Sequence, residues 1–499
     1  MLKKIKETCI FDILSIKFLG TAKTASFILT FLLLVYACFV SLFFRSQILT
    51  SIPPLLYIIA FCICLFIIRS PLLNLLLQLD KRNFLILIAI TFFALRLGWF
   101  YLTKPEPFSD FLLYHNFAVQ MSQGNFSPYD QTCVVFPHRY SYSMILSLLY
   151  KVTGPSFING VMLNIFLSFF TCFFILRIGE ALMDEDLARI CALIFTIWPS
   201  QIMYSSVLAS EHCFLFFLFL SMLLFINSIE PKKYENNLYK YIQPLSAGAV
   251  LGLAQFVRPV AIVFLIGFLL LFVFNRDFNK NILIILLLVA GYFAVLYPLK
   301  AMVSGMSGTE YKSTFGYNLL VGTNYKSTGY YNNEDASILS RCNYNIELIH
   351  EKALSESIGR IKNNPSAFVD LANKKYISFW GDGSFGAYWS IKGIKNSNYY
   401  IVNTNTFRKL SFFSCQVFYQ IILGFSAYGL YLCIREKNYV FLIVCLIFLF
   451  HAGMYTFLEI QSRYHYPAVA SLLFPAGWGI IRFYAIKPNQ RRSLSQYRK

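Results

Sequence analysis

The stretch "NFLILIAITFFALRLGWFYLTKPEPFSDFLLYHNFA", residues 83–118, runs from a membrane-length apolar segment into a short polar loop and then to a carboxylate, Asp110. A helix of roughly 20 apolar residues crosses a hydrocarbon core of about 30 Å. Two questions follow for Asp110: which side of a membrane it faces, and what else collects there.

The rest of the chain supports the membrane reading. Of 499 residues, 57% are hydrophobic and only 13% charged, against about 25% charged in soluble domains. Mean hydropathy is +0.57. Apolar spans are expected near residues 24–44, 53–69, 84–102, 157–176, 188–205, 210–228, 243–256, 259–274, 281–299, 412–433, 438–456 and 467–484. The fold class is therefore an all-α polytopic membrane protein with about 12 transmembrane helices. "YSYSMILSLLYKV" is too short to span and reads as an interfacial helix. The basic N-terminus "MLKKIKETCIFDILSIKFLG" has no small-residue cleavage site after its first apolar run, which is expected to be a retained helix. The formal charge of +19 fits basic cytoplasmic loops and anionic membrane lipids, so no nucleic-acid partner is expected.

With the N-terminus in the cytoplasm, the cytoplasmic loops carry Arg69, Lys81, Arg82, Arg177, Arg189, Lys232, Lys233, Lys240, Arg276, Lys280, Arg435 and Lys437, and the tail "KPNQRRSLSQYRK" is also inside. The short outer loops hold only Arg45, Arg258 and Arg463. This alternation follows the positive-inside rule, with a bacterial inner (plasma) membrane as the natural setting. Residues 103–156 and 302–411 then lie outside. The expected organisation is an N-terminal transmembrane region, 1–301, including the outer loop 103–156. A small extracytoplasmic α or α+β domain follows at 302–411, and then a C-terminal transmembrane region, 412–499, with the basic tail. Within 343–380, Pro365 marks the start of the second of two amphipathic helices.

On the outer face, spacing alone favours Ser109 or Asp110 as the N-cap of "FLLYHNFAVQM", and that role does not exclude Asp110 as a general base at the membrane surface. Glu211 stands at the mouth of a span, where an acid is costly unless it meets a polar cavity. Arg258, Lys300 and Arg463 stand at the outer ends of spans, with His138 and Arg139 after the first outer helix. Snorkelling to headgroups explains a lone cation there; several around an acid fit a bound phosphate. The histidines show no metal-ligand spacing, so no metal site is proposed and no cofactor is required. Of the twelve cysteines, most lie in apolar runs; Cys133 and Cys342 share the outer side, and whether they are bonded stays open.

Taken in order, "SDFLLYHNFAVQMSQGNF", "SMILSLLYKVTGP", "IWPSQIMYSSVLASEHCF", "VRPVAI", "STFGYNLLVGTNYKSTGYYN", "ANKKYISFW" and "SRYHYPAVASLLF" resemble the bacterial glycosyltransferase family 39-like group. These are membrane transferases of the GT-C fold, related to protein O-mannosyltransferases and lipid A aminoarabinose transferases. The resemblance runs from about residue 84 to residue 484. It implies a polyprenyl-phosphate-linked sugar donor, an acceptor that is a glycan, lipid or protein, and Asp110 as the catalytic base. It places Glu211, Arg258, Arg463 and Tyr464 on positions that the family uses. The sequence departs from the family where "FPHRYSYSM" replaces a "PPGYP"-like segment, where Lys300 replaces an arginine, and in two extra spans before residue 84. The same features leave two competing classes, a polysaccharide polymerase and a transporter or flippase for a lipid-linked sugar. Charges at the outer rim and the lack of an internal repeat weigh against the transporter.

Overall fold

The computed structural model describes residues 2–43, 52–68, 71–229, 237–274, 281–308, 310–395 and 399–484. Arg45, Arg69, Lys232, Lys233, Arg276, Lys280 and the basic tail lie outside the described residues. Among those described there is no strand, so the α+β alternative for 302–411 falls and that segment is helical.

The principal helices are α1 (Leu2–Phe43), α2 (Lys81–Thr103), α3 (Asp110–Ser122), α4 (His138–Thr153), α5 (Phe157–Leu182), α6 (Glu185–Ile197), α7 (Ser210–Ile229), α8 (Asn237–Val257), α9 (Ile262–Phe274), α10 (Ile282–Ser307), α11 (Phe315–Gly322), α12 (Ile346–Asn363), α13 (Pro365–Gly381), α14 (Phe385–Lys392), α15 (Asn405–Glu436), α16 (Leu442–Phe457) and α17 (Leu473–Tyr484). Among the described residues, every apolar segment expected from the sequence is carried by one helix or by two in succession. Six of the helices, within α1, α2, α5, α7, α10 and α15, are long and apolar enough to cross a membrane, and shorter apolar helices accompany them. Large apolar side chains stand exposed along them, among them Phe66 at 79%, Ile90 at 64% and Leu286 at 57%. Water would not tolerate such a belt, and lipid does. The chain is a polytopic membrane protein.

Two expected spans are broken. The segment 188–205 is interrupted at Trp198–Pro199, where α6 gives way to a short helix, Pro199–Tyr204. Pro199 has no N–H to offer the Phe195 carbonyl. Arg96 of α2, fully buried, supplies the missing donors: Nη2 to Phe195 O at 3.2 Å and Nη1 to Thr196 O at 3.0 Å, with Gln201 Oε1 beside them. The segment 467–484 divides likewise into Tyr466–Ser471 and α17.

α8 and α10 form the most intimate helix pair, and glycine makes it so. A Cβ on Gly248 would lie 1.9 Å from Leu288 O, and one on Gly291 would lie 2.1 Å from Leu245 O. Backbones this close gain van der Waals contact that larger residues forbid. Gly248→Val is therefore expected to force the helices apart. Fluorescence-detected size exclusion of the detergent-solubilised variant should show loss of the monodisperse peak; a peak at parental height would contradict this packing.

The two non-membrane pieces meet. Val135 and Phe136 of the first loop share a small core with Tyr317, Leu320, Ile338 and Ile349. The two helices expected around Pro365 are α12 and α13, with Pro365 in the first turn of the second. The helix around "YSYSMILSLLYKV" is α4, which buries Tyr140, Ser141, Tyr142, Leu146 and Tyr150. Cys133 and Cys342 are both buried and both free.

Candidate active site

Asp110 is the first residue of α3, and it does not serve as the cap. Ser109 stands at the cap position without a side-chain bond to the helix, and its φ of 52° lies in the left-handed region. A non-glycine residue there costs about 1–3 kcal/mol, strain that clusters at functional sites. The Asp110 carboxylate is held between two guanidiniums: Oδ1 lies 3.3 Å from Arg139 Nη2 and Oδ2 lies 3.3 Å from Arg463 Nη2. It keeps 37% side-chain exposure, whereas Arg463 keeps 6%.

Arg463 reaches a second acid. Its Nε is 3.6 Å from Glu211 Oε1, and Arg258 Nη1 is 2.5 Å from the same oxygen. Glu211 is 2% exposed, so the acid at the mouth of α7 is held by paired cations rather than by water. Burial works against the charge of Arg258 and Arg463, but Glu211 more than offsets it, and both stay above the ordinary arginine range. The Tyr464 ring lies between them, 5.2 Å from Arg258 Cζ and 5.5 Å from Arg463 Cζ. Trp389 of α14 covers Arg463 from another side at 4.7 Å. These faces suit guanidiniums, since aromatic rings attract cations.

The structure thus gathers Asp110, Arg139, Glu211, Arg258, Arg463 and Tyr464. Lys300 lines the same cavity without an ion pair to this cluster among the described residues; its Nζ lies 5.2 Å from the Tyr311 ring centroid. His138 lines the cavity too but adds no positive charge. Burial, then Arg139 and Arg258, push its pKa down to about 3, so the ring is neutral near pH 7.

The cavity measures about 1390 Å³. Its polar end is the cluster just described. Another wall is apolar, made by Ile262, Val263, Ile266 and Leu270 of the α9 region and Leu446, Leu449 and Phe450 of α16. Residues of the 302–411 segment, including Tyr311, Asn318, Tyr331 and Trp389, complete the lining.

Three contributors escape sequence reasoning. Trp389 sits in a stretch with no charge pattern. Glu459 lines the cavity four residues before Arg463. Lys375, in "ANKKYISFW", looks like a surface lysine but is 1% exposed. Its Nζ donates to Gly322 O at 2.8 Å, Thr456 O at 2.9 Å and Leu458 O at 2.8 Å, fastening α13 to the ends of α11 and α16. The three acceptors match the three N–H bonds of an ammonium.

The chain matches no protein-family model and no curated protein. It is similar to solved structures of two membrane enzymes. One is the archaeal oligosaccharyltransferase AglB from Archaeoglobus fulgidus, in complex with an inhibitory peptide and a dolichol-phosphate. That match has 12% identity and a TM-score of 0.43, and covers 79% of this chain and 49% of that one. The other is ArnT from Cupriavidus metallidurans bound to undecaprenyl phosphate, at 10% identity and a TM-score of 0.38, covering 80% of this chain and 78% of that one. Both are glycosyltransferases of the GT-C fold. The chain spans about half the length of the oligosaccharyltransferase it matches.

Proposed function

We propose that this protein is a GT-C-type membrane glycosyltransferase that moves a sugar from a polyprenyl-phosphate donor to an acceptor hydroxyl, on the extracytoplasmic face of a bacterial inner membrane. The observation that carries the reading is one cavity with two characters. An exposed carboxylate and paired arginines lie at its polar end, and an apolar wall lines another side. A lipid carrying a phosphate and a sugar needs both.

The acceptor oxygen attacks the anomeric carbon while Asp110 takes its proton, and the bond from that carbon to the phosphate oxygen breaks. Asp110 is the more exposed of the two paired acids, so an acceptor hydroxyl can reach it. The electron pair leaves with the phosphate, already an anion, so no second acid has to protonate it; paired glycosidase carboxylates work differently. Arg258 and Arg463, with Lys300 and Tyr464, meet the charge that grows on the phosphate. Three arginines face two acids in the cluster, which leaves one positive charge for the donor. Glu211 keeps the arginines paired, and Arg139 and His138 shape the Asp110 side. A single displacement inverts the anomeric centre.

The division into 1–301, 302–411 and 412–499 belongs to this reading, with the middle segment roofing the site. The helices overrun its edges, since α10 ends at Ser307 and α15 begins at Asn405.

Two measurements test the proposal. Surface glycans of cells with and without the protein, compared by mass, should differ by one sugar residue; identical profiles would count against a transferase. For topology, Ser327→Cys should react with a membrane-impermeant thiol reagent on intact cells and Ser493→Cys should not. Labelling of Ser493→Cys from outside would overturn the orientation.

A further inference from the structure

Glu459 is the carboxylate of the cavity to which the mechanism gives no task. Its backbone is fixed: Glu459 N donates to Asn318 O at 2.9 Å and Ile460 N to Gly329 O at 3.0 Å, while Lys375 holds the Leu458 carbonyl. The side chain lines the cavity. Gln461 Nε2 donates to its Oε1 at 3.1 Å, and among the described residues no cation pairs with it. Burial raises its pKa, which an ion pair would have prevented. An acid kept in a cavity without a counter-ion costs free energy unless a ligand supplies hydrogen-bond donors.

The neighbours say which donors. Asn318, Tyr317 and Tyr331 line the same cavity beside Glu459, and Arg463 leaves the same short loop. A phosphate at Arg463 therefore places the next group of the donor within reach of Glu459. Rings and amides around a carboxylate accept hydroxyls on one edge and C–H faces on another. An ammonium on that group would gain from the carboxyl but lose to Arg463 and Arg258, whose charges reach Glu459, whereas neutral hydroxyls can bond to it without that repulsion.

We infer that Glu459, with Asn318, Tyr317 and Tyr331, forms the subsite for a neutral, hydroxyl-bearing sugar ring. The assignment to the donor's sugar rests on the function proposed above, but sugar binding by itself does not, and the test separates the two. The full-length protein in nanodiscs is exposed to bare undecaprenyl phosphate, followed by Trp fluorescence, and to a panel of methyl hexosides, followed by saturation-transfer NMR. A second panel carries methyl amino-hexosides. Glu459→Gln keeps the shape but puts a donor in place of an acceptor. At least one neutral hexoside should give a signal in the parent that weakens roughly tenfold or more in the variant, as expected for a hydrogen bond to a charged group. Binding of the bare lipid should not change.

Loss of lipid binding in Glu459→Gln would place the residue in the phosphate site and overturn the subsite. So would hexoside signals that are absent in the parent or equal in parent and variant, and so would preference for the amino-hexosides. If the parent bound hexosides through Glu459 but no undecaprenyl phosphate, the subsite would stand and the lipid donor would fall.

Discussion

Asp110→Asn protein will insert and fold as the parent does, yet transfer sugar about 10²–10⁴-fold more slowly, the range of a lost general base. The swap preserves shape and costs the helix little, because the side chain of neither Ser109 nor Asp110 caps it. The amide still accepts a hydrogen bond from Arg139 or Arg463 but cannot take a proton. Asp130→Asn serves as the control: that carboxylate does cap, accepting from Cys133 N at 3.0 Å, and asparagine caps about as well. Transfer is measured in membranes supplied with donor and acceptor, at matched protein levels. A rate above about a tenth of the parent's would remove the base role from Asp110.

The second large effect is structural and chemical at once. Arg258→Ala removes the nearest partner of Glu211, which is 2% exposed. Breaking a buried pair from one side costs up to about 3–5 kcal/mol, less here because Arg463 remains 3.6 Å away. The variant should melt earlier in a thermal shift assay. Adding Glu211→Gln to Arg258→Ala removes the stranded charge and should return most of the lost stability. Transfer should stay about 10²-fold or more below the parent, because the phosphate has still lost its cation. Recovery of both stability and transfer in the double variant would make Arg258 a counter-ion only.

Much of the fold was legible in the sequence, because apolar length is a direct property of the residues. The breaks were less so. Pro199 marks a break in the sequence, but the helix end there also depends on Arg96, a hundred residues away, which nothing in the run itself shows. The cluster at Asp110, Glu211, Arg258 and Arg463 was legible as a set of charges at span ends, and their convergence follows once the orientations alternate. Which of them touch was not legible. Nothing in the sequence told that Asp110 spurns the cap for Arg139 and Arg463, or that burial pushes the His138 pKa down. Glu459 and Lys375 escaped because spacing gives a residue's neighbours along the chain and not what its side chain turns toward. Lys375 meets three carbonyls contributed by residues 322, 456 and 458.

Arg96 also sets an order of biosynthesis. The ribosome completes α2 long before it reaches Thr196, 100 residues further on, an interval of about 5–20 s at usual rates of synthesis. Throughout that time a mid-span arginine lacks its later partners and costs about 2.5–3.5 kcal/mol on insertion scales. The nascent span therefore enters the bilayer before its arginine has the acceptors at the Trp198–Pro199 break and on Gln201. Until that break arrives, the finished position of α2 in the bundle does not exist, and the earlier span is matured by the later one.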